Sequence, residues 1–210
     1  MENKAVKSLK SPIPPEIETT AERRRVPRTQ LDPGRWIAAA IDVLAGEGIA
    51  GLRVEVLAKH CGVTKGSFYW HFKDRQALFA AVLEHWKLGR IRDIEKTTAY
   101  APGEELARLN YVIEVYGASH NRKGMAIELA IRDWARRDAE AAAVVEAVDL
   151  YRLECTRRLF VAAGMSDSEA KSRSLLLYAC VFGLSLMHYD PFDSNLPRLK
   201  QGIAERIVAA

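Results

Sequence analysis

Cysteine is scarce in this 210-residue chain: Cys61, Cys155 and Cys180 are odd in number and far apart. That spacing excludes a disulfide framework and points to reduced thiols in a cytoplasmic protein. Long hydrophobic runs are missing as well. The longest, Leu175–Leu184, has ten residues counting Gly183, against the ~20 that a membrane span needs. Met1–Lys10 is polar and offers no apolar core for a signal peptide. From Leu31 onward there is no β-branched alternation between turn signals, so strands are not expected. Catalytic signatures are absent too: no Gly-x-Ser-x-Gly, no P-loop, no dinucleotide fingerprint. No Glu has His three residues later, the spacing a di-iron helical bundle uses. His60 and Cys61 are neighbours that point to different faces, and His120 and His188 stand alone, so no metal and no cofactor is expected. These absences argue against secreted, membrane-spanning, zinc-ribbon and enzyme readings, and no fixed-period repeat is present.

What is there is a chain with 49% hydrophobic and 28% charged residues, enough to bury a core. The net charge of +4 is unevenly placed. Residues 1–90 hold 15 Lys and Arg against 10 Asp and Glu; residues 91–210 hold 16 against 17. A basic head on a near-neutral body attracts a polyanion, either nucleic acid or an anionic membrane surface. The basic tail lacks an amphipathic apolar face, which disfavours the membrane.

Residues 1–27 read as a disordered basic tail: Ser11-Pro-Ile-Pro-Pro15 blocks regular structure, and Arg23-Arg24-Arg25 follows. Beyond it the pattern is helical, giving an all-α chain of about nine helices. Asp32-Pro33 opens the first, with Ile37, Ala40, Ile41 and Leu44 on one face and Gly46 and Gly48 at its end. Short helices are expected over Val54–His60 and from Thr64 to about Trp70. Asp74 then caps a longer one, to about Glu95, that carries Leu78, Val82 and His85 on one face. Pro102 is expected to open a helix to about Ser119. Others should run from about Lys123 to Arg137 and from Ala139 to Ala163, the latter closed by Gly164. The next should be capped at Asp167 or Ser168 and reach about Tyr189. Pro197 opens the last.

Short helices of this order suggest a helix-turn-helix, although an ordinary helical hairpin uses similar residues. Ala58 is small where two helices cross, and Gly62 permits a positive φ in the turn. Thr64 suits the N-cap of the second helix. Lys65, Ser67, Tyr69, Trp70, His71 and Lys73 crowd two turns with donors, aromatics and positive charge, which a groove of DNA would use. Gly66 lets backbone N–H groups approach a phosphate.

Gly62-Val-Thr-Lys-Gly-Ser-Phe-Tyr-Trp-His-Phe-Lys73 resembles the recognition-helix signature of the TetR family of bacterial transcriptional regulators, and the likeness extends from about Asp32 to Leu83. Ala130-Ile-Arg-Asp-Trp-Ala-Arg-Arg-Asp138 is similar to a pattern in the body of many members. Arg53 departs from it, since members often have Ser or Thr there, and Arg accepts no N–H bond. The resemblance implies a DNA-binding domain over residues 28–75 and a helical ligand-binding and dimerisation domain over 76–210. It implies a homodimer on a near-palindromic double-stranded operator, its recognition helices about 34–36 Å apart, released by a small-molecule effector. Thr64, Lys65, Gly66, Ser67, Tyr69 and His71 are the implied groove residues. Trp70, Lys73 and Arg53 are implied phosphate contacts, and Arg28 and Thr29 lie where members touch backbone or minor groove.

In the body, Leu175–Leu184 is apolar all round and must be covered on more than one side. Ala179 and Gly183 form a small-residue face, and Leu199, Ile203 and Ile207 form a stripe on the last helix. Together they suit a four-helix interface with a second copy, or an ordinary core. Candidate effector contacts are Trp86, Arg90, Tyr111, Tyr116, Trp134, Tyr151, Tyr178 and Phe182, each of which also suits plain packing. Glu128 and Arg132, four apart, are expected to make a helix-surface ion pair.

Overall fold

The computed structural model describes residues 32–117 and 122–209, without the side chains of Tyr116, Gly117 and Arg122. Within these residues the fold is all-α: α1 (Pro33–Glu47), α2 (Val54–His60), α3 (Lys65–Phe68), α4 (Arg75–Thr98), α5 (Glu105–Gly117), α6 (Arg122–Ala135), α7 (Ala139–Ala162), α8 (Asp167–Leu186) and α9 (Leu196–Val208). A single 3-10 turn, Ile49–Gly51, joins α1 to α2. Among the described residues no helix is long and apolar enough to cross a membrane. The expected tail falls outside them.

Side-chain caps set most helix starts. The Asp32 carboxylate accepts from Arg35 N–H at 3.0 Å, with Pro33 in the first turn. Asp74 accepts from Ala77 N–H at 2.8 Å and Asp138 from Ala141 N–H at 2.9 Å. The cap of α8 is Ser166, one residue before the expected Asp167, because its hydroxyl is the group that reaches Glu169 N–H. Pro102 does not open α5. Gly103 turns left-handed at φ 90, so the helix begins at Glu105, whose carboxylate accepts the Gly103 N–H. Arg136 and Arg137 leave α6 in a turn, their N–H groups bonded to the carbonyls of Asp133 and Trp134. Helix α8 stops at Leu186, short of Tyr189.

One core runs from the N-terminal helices into the body. Trp36, Leu44, Leu52, Leu57 and Phe68 are fully buried, and the same cluster continues through Leu78, Phe79, Val82 and Trp86 of α4 to Ile131, Trp134 and Val148. His85 is exposed, unlike the expected face. Helix α4 turns Leu78, Val82 and Trp86 inward, four residues apart. A second core joins Leu109 and Val112 of α5, Leu159 and Phe160 of α7, Leu177 and Tyr178 of α8, and Ile207 of α9.

Glu128 and Arg132 do not form a surface pair. Glu128 is 4% exposed, and its Oε1 accepts from Arg132 Nε and Nη2 at 3.1 and 2.8 Å and from Arg152 Nη2 at 3.1 Å. Arg132 also grips both Asp149 oxygens, at 2.8 and 2.6 Å. Burial opposes the charge on Arg132, but Asp149 and Glu128 more than offset it and raise its pKa. Phe182 of α8 closes the cluster, its ring 4.1 Å from the Arg132 guanidinium and 5.4 Å from that of Arg152. Helices α6, α7 and α8 thus meet on paired charges.

Removing one member of such a set strands the others in a low-dielectric site. Glu128→Ala is expected to lower stability by about 3–5 kcal/mol, measured by urea denaturation. A loss below about 1 kcal/mol would show that water reaches Arg152.

Candidate nucleic-acid interface

The geometry of α2 and α3 follows from a few side chains. Ala58 is buried and allows α2 to lie against its neighbours. Gly62 adopts φ 68, and Val63 N–H bonds to the Ala58 carbonyl at 2.9 Å, which closes the turn. Helix α3 is shorter than the expected Thr64–Trp70 span, with four residues before the chain turns at Tyr69. His71 and Phe72 N–H both bond to the Phe68 carbonyl at 3.0 Å, which ends the helix. Thr64 occupies the N-cap with extended backbone, but its side chain makes no capping bond; its carbonyl takes the Ser67 N–H instead.

So short a helix has little stability of its own. Phe68 supplies it, fully buried edge-on to Trp36 at 5.4 Å and stacked with Phe72 at 5.4 Å. Around this anchor the candidate contact residues emerge on the surface. Tyr69 is 53% and Trp70 74% exposed, and Arg53, Thr64, Lys65, Gly66 and Lys73 are exposed with them. Ser67 and His71 are half-buried, and the His71 Nε2 is enclosed with no hydrogen-bond partner. Arg53 precedes α2 with no side-chain cap, as its chemistry dictates. Arg28 and Thr29 lie outside the described residues. One residue of this surface had no signal in the sequence: Glu55 of α2 pairs with Lys65 of α3, ten residues on. The hydrogen bond from Lys65 holds the Glu55 carboxyl below its usual pKa and raises that of Lys65.

The body residues considered for an effector are dispersed. Trp86 and Trp134 are core, Trp134 lying edge-on to Phe79 at 5.0 Å. Arg90 pairs with Asp93 at 2.5 Å. Tyr111 is 45% exposed under the Arg108 guanidinium. Tyr151 donates its hydroxyl to Glu95 at 2.8 Å, tying α7 to α4, and that bond pushes its pKa up to about 12. Tyr178 and Phe182 come together, both beside Arg152, with the Tyr178 hydroxyl 3.1 Å from Thr156 Oγ1. The Tyr116 side chain lies outside the described residues. An open groove of about 420 Å³ lies elsewhere, between α6 and α7, lined by Arg132, Ala135, Arg136, Ala142, Val145, Glu146, Asp149 and Leu150. Neither Arg132 nor Asp149 was distinguishable in the sequence as a groove residue. Among the described residues no three His, Cys, Asp or Glu side chains gather to hold a metal ion.

Helix α8 has two faces. Leu177 and Tyr178 are buried, whereas Leu175 is 61% and Leu186 66% exposed, with Ala179 exposed between them. A Cβ at Gly183 would meet no atom within 4 Å among the described residues. On α9, Ile207 is buried in the protomer's own core and Ile203 packs against it, while Leu199 is half-buried.

Residues 37–82 match the family of bacterial regulatory proteins named tetR. The uncharacterized HTH-type transcriptional regulator YerO of Bacillus subtilis (strain 168) is 31% identical over 77 residues, 35% of this chain and 27% of that protein. The tetracycline repressor protein class A from transposon 1721 of Escherichia coli is 41% identical over 56 residues, 27% of this chain and 26% of that protein. The chain thus matches about a quarter of the length of these relatives. Among solved structures, a transcriptional regulator from Rhodococcus sp. Rha1 superposes with TM-score 0.64 at 23% identity, over 85% of this chain and 94% of that one. The helix-turn-helix that carries Lys65, Tyr69, Trp70 and Lys73 on its surface lies within residues 37–82, the part of the chain that is similar to the tetR family of bacterial regulatory proteins.

Proposed function

We propose that the protein is a transcriptional repressor that binds a near-palindromic operator as a homodimer and leaves it when a small molecule occupies the body. The carrying observation is the surface of α3 and the turn after it. Tyr69, Trp70 and Lys73 are exposed in the turn that follows Lys65 and the rest of α3, a helix too short to exist without its anchor. Residues 28–75 read DNA in this proposal, and residues 76–210 dimerise and hold the effector. Thr64, Lys65, Gly66, Ser67, Tyr69 and His71 address the major groove; Arg53, Trp70 and Lys73 address phosphates, with Arg28 and Thr29 alongside. The repressor named above for tetracycline supports a small-molecule effector by family likeness.

The dimer in this proposal uses the outward face of α8. Leu175, Ala179, Gly183 and Leu186 share it, and leaving such leucines in water is unfavourable. Leu199 and Ile203 of α9 border it, while Ile207 serves the protomer's core. Effector binding among α4, α6, α7 and α8 shifts α4, and with it the spacing of the two heads, provided the ligand binds one spacing better than the other. Trp86, Arg90, Trp134, Tyr151, Tyr178 and Phe182 stand on these helices, with Tyr111 and Tyr116 on the neighbouring α5.

Tyr69→Ala is expected to weaken operator binding about 10- to 100-fold while sedimentation shows the dimer intact. Joint loss of both would make Tyr69 a packing residue. Leu175→Glu together with Leu186→Glu is expected to give folded monomers by analytical ultracentrifugation. Mass spectrometry of the purified protein under native conditions identifies a retained effector. If saturating it left operator affinity unchanged, the release mechanism would be wrong.

A further inference from the structure

The Glu55–Lys65 pair raises a question that the proposed DNA reading leaves open. Lys65 is the first residue of α3 and a groove residue of that reading, and its charge draws it toward any duplex, yet its ammonium is already matched by the carboxylate of Glu55 in the first turn of α2. Both side chains are more than half exposed, so burial does not enforce the contact. Nor does the turn need it as a fastening. Phe68, the Gly62 turn and the Val63-to-Ala58 hydrogen bond already hold α3 against α2. The carboxylate nonetheless stands on the basic face, against the Lys65 ammonium.

We propose that Glu55 masks Lys65 and so acts as a brake on sequence-independent DNA binding. A phosphate contact carries no base information, and it strengthens attachment to every duplex alike. A cation neutralised within the protein gives up its internal partner before it takes a phosphate, and it displaces fewer counterions from DNA. Masking Lys65 trims the part of the affinity that does not discriminate, leaving Ser67, Tyr69 and the other base-facing groups to decide the site. The inference rests on the DNA-binding reading, and its residue, Glu55, lies outside the set that reading uses.

The test measures binding of the full chain to a mixed-sequence duplex over a series of salt concentrations, for the native protein, Glu55→Gln, Lys65→Gln and the double variant. Circular dichroism establishes that each is folded. Glu55→Gln is expected to bind about two- to fivefold more tightly at low salt. Its log–log salt dependence is expected to steepen by about 0.9, one additional phosphate's worth of counterions. In the Lys65→Gln background the same change is expected to do nothing, because no cation remains to unmask. An equal gain in that background would mean that Glu55 repels DNA directly, and the masking role would be overturned. Weaker binding by Glu55→Gln would make the pair a brace for α3 and overturn it equally. If the native protein shows no salt-dependent duplex binding, the DNA reading itself fails, a result distinct from a native protein that binds while Glu55→Gln matches it.

Discussion

The exposed surface of the head depends on the burial of one ring. Phe68 is the only residue of the four in α3 that is fully buried, and four residues are too few to nucleate a helix in water. Its contacts with Trp36 and Phe72 convert a marginal turn into a fixed platform. Tyr69 leans edge-on against the same ring at 5.2 Å and still presents half its surface to solvent. Aromatics and cations stand out in water here because the neighbouring residue is anchored.

The anchor belongs to a core that does not stop at the head. Leu78, Phe79, Val82 and Trp86 carry it along α4, and the Phe79–Trp134 contact joins α4 to α6. Helix α6 also reaches α1 directly, with Lys123 paired to Asp42 at 2.7 Å. The far end of α4 is tied to α7 by Tyr151 and Glu95. Two helices rather than one thus lead from body to head. A close-packed junction of this kind transmits displacement because it has no slack to absorb it.

Local chemistry was legible in the sequence and partner identity was not. Asp32, Asp74 and the Gly62 turn could be read because a cap or a positive φ is decided by residues within a few positions. The bounds of α2 followed for the same reason. Glu128 and Arg132 were misread because a spacing of four places two charges on one face without saying what that face meets. Their partners, Asp149 and Arg152, lie 17 and 24 residues away from the group each binds. Glu55 escaped notice likewise, since its partner is on another helix. On α9 the periodicity left a dimer face and an ordinary core both open, and Ile207 packs in the core of its own protomer.

Helix α8 shows why these two kinds of information meet in function. Its inward residues, Leu177 and Tyr178, complete the second core, and its outward residues, Leu175, Ala179 and Leu186, are exposed. Phe182 stands between, lying over the Arg132 guanidinium that is held by Glu128 and Asp149. Arg132 is on α6, and α6 begins at the ion pair to Asp42 in the head. The most deeply buried members of the cluster, Glu128 and Arg152, fix this geometry, because a buried charge that loses its partner is left uncompensated. A series of contacts therefore runs from α8 through Phe182 and Arg132 into α6, and from α6 through Lys123 to Asp42 of α1.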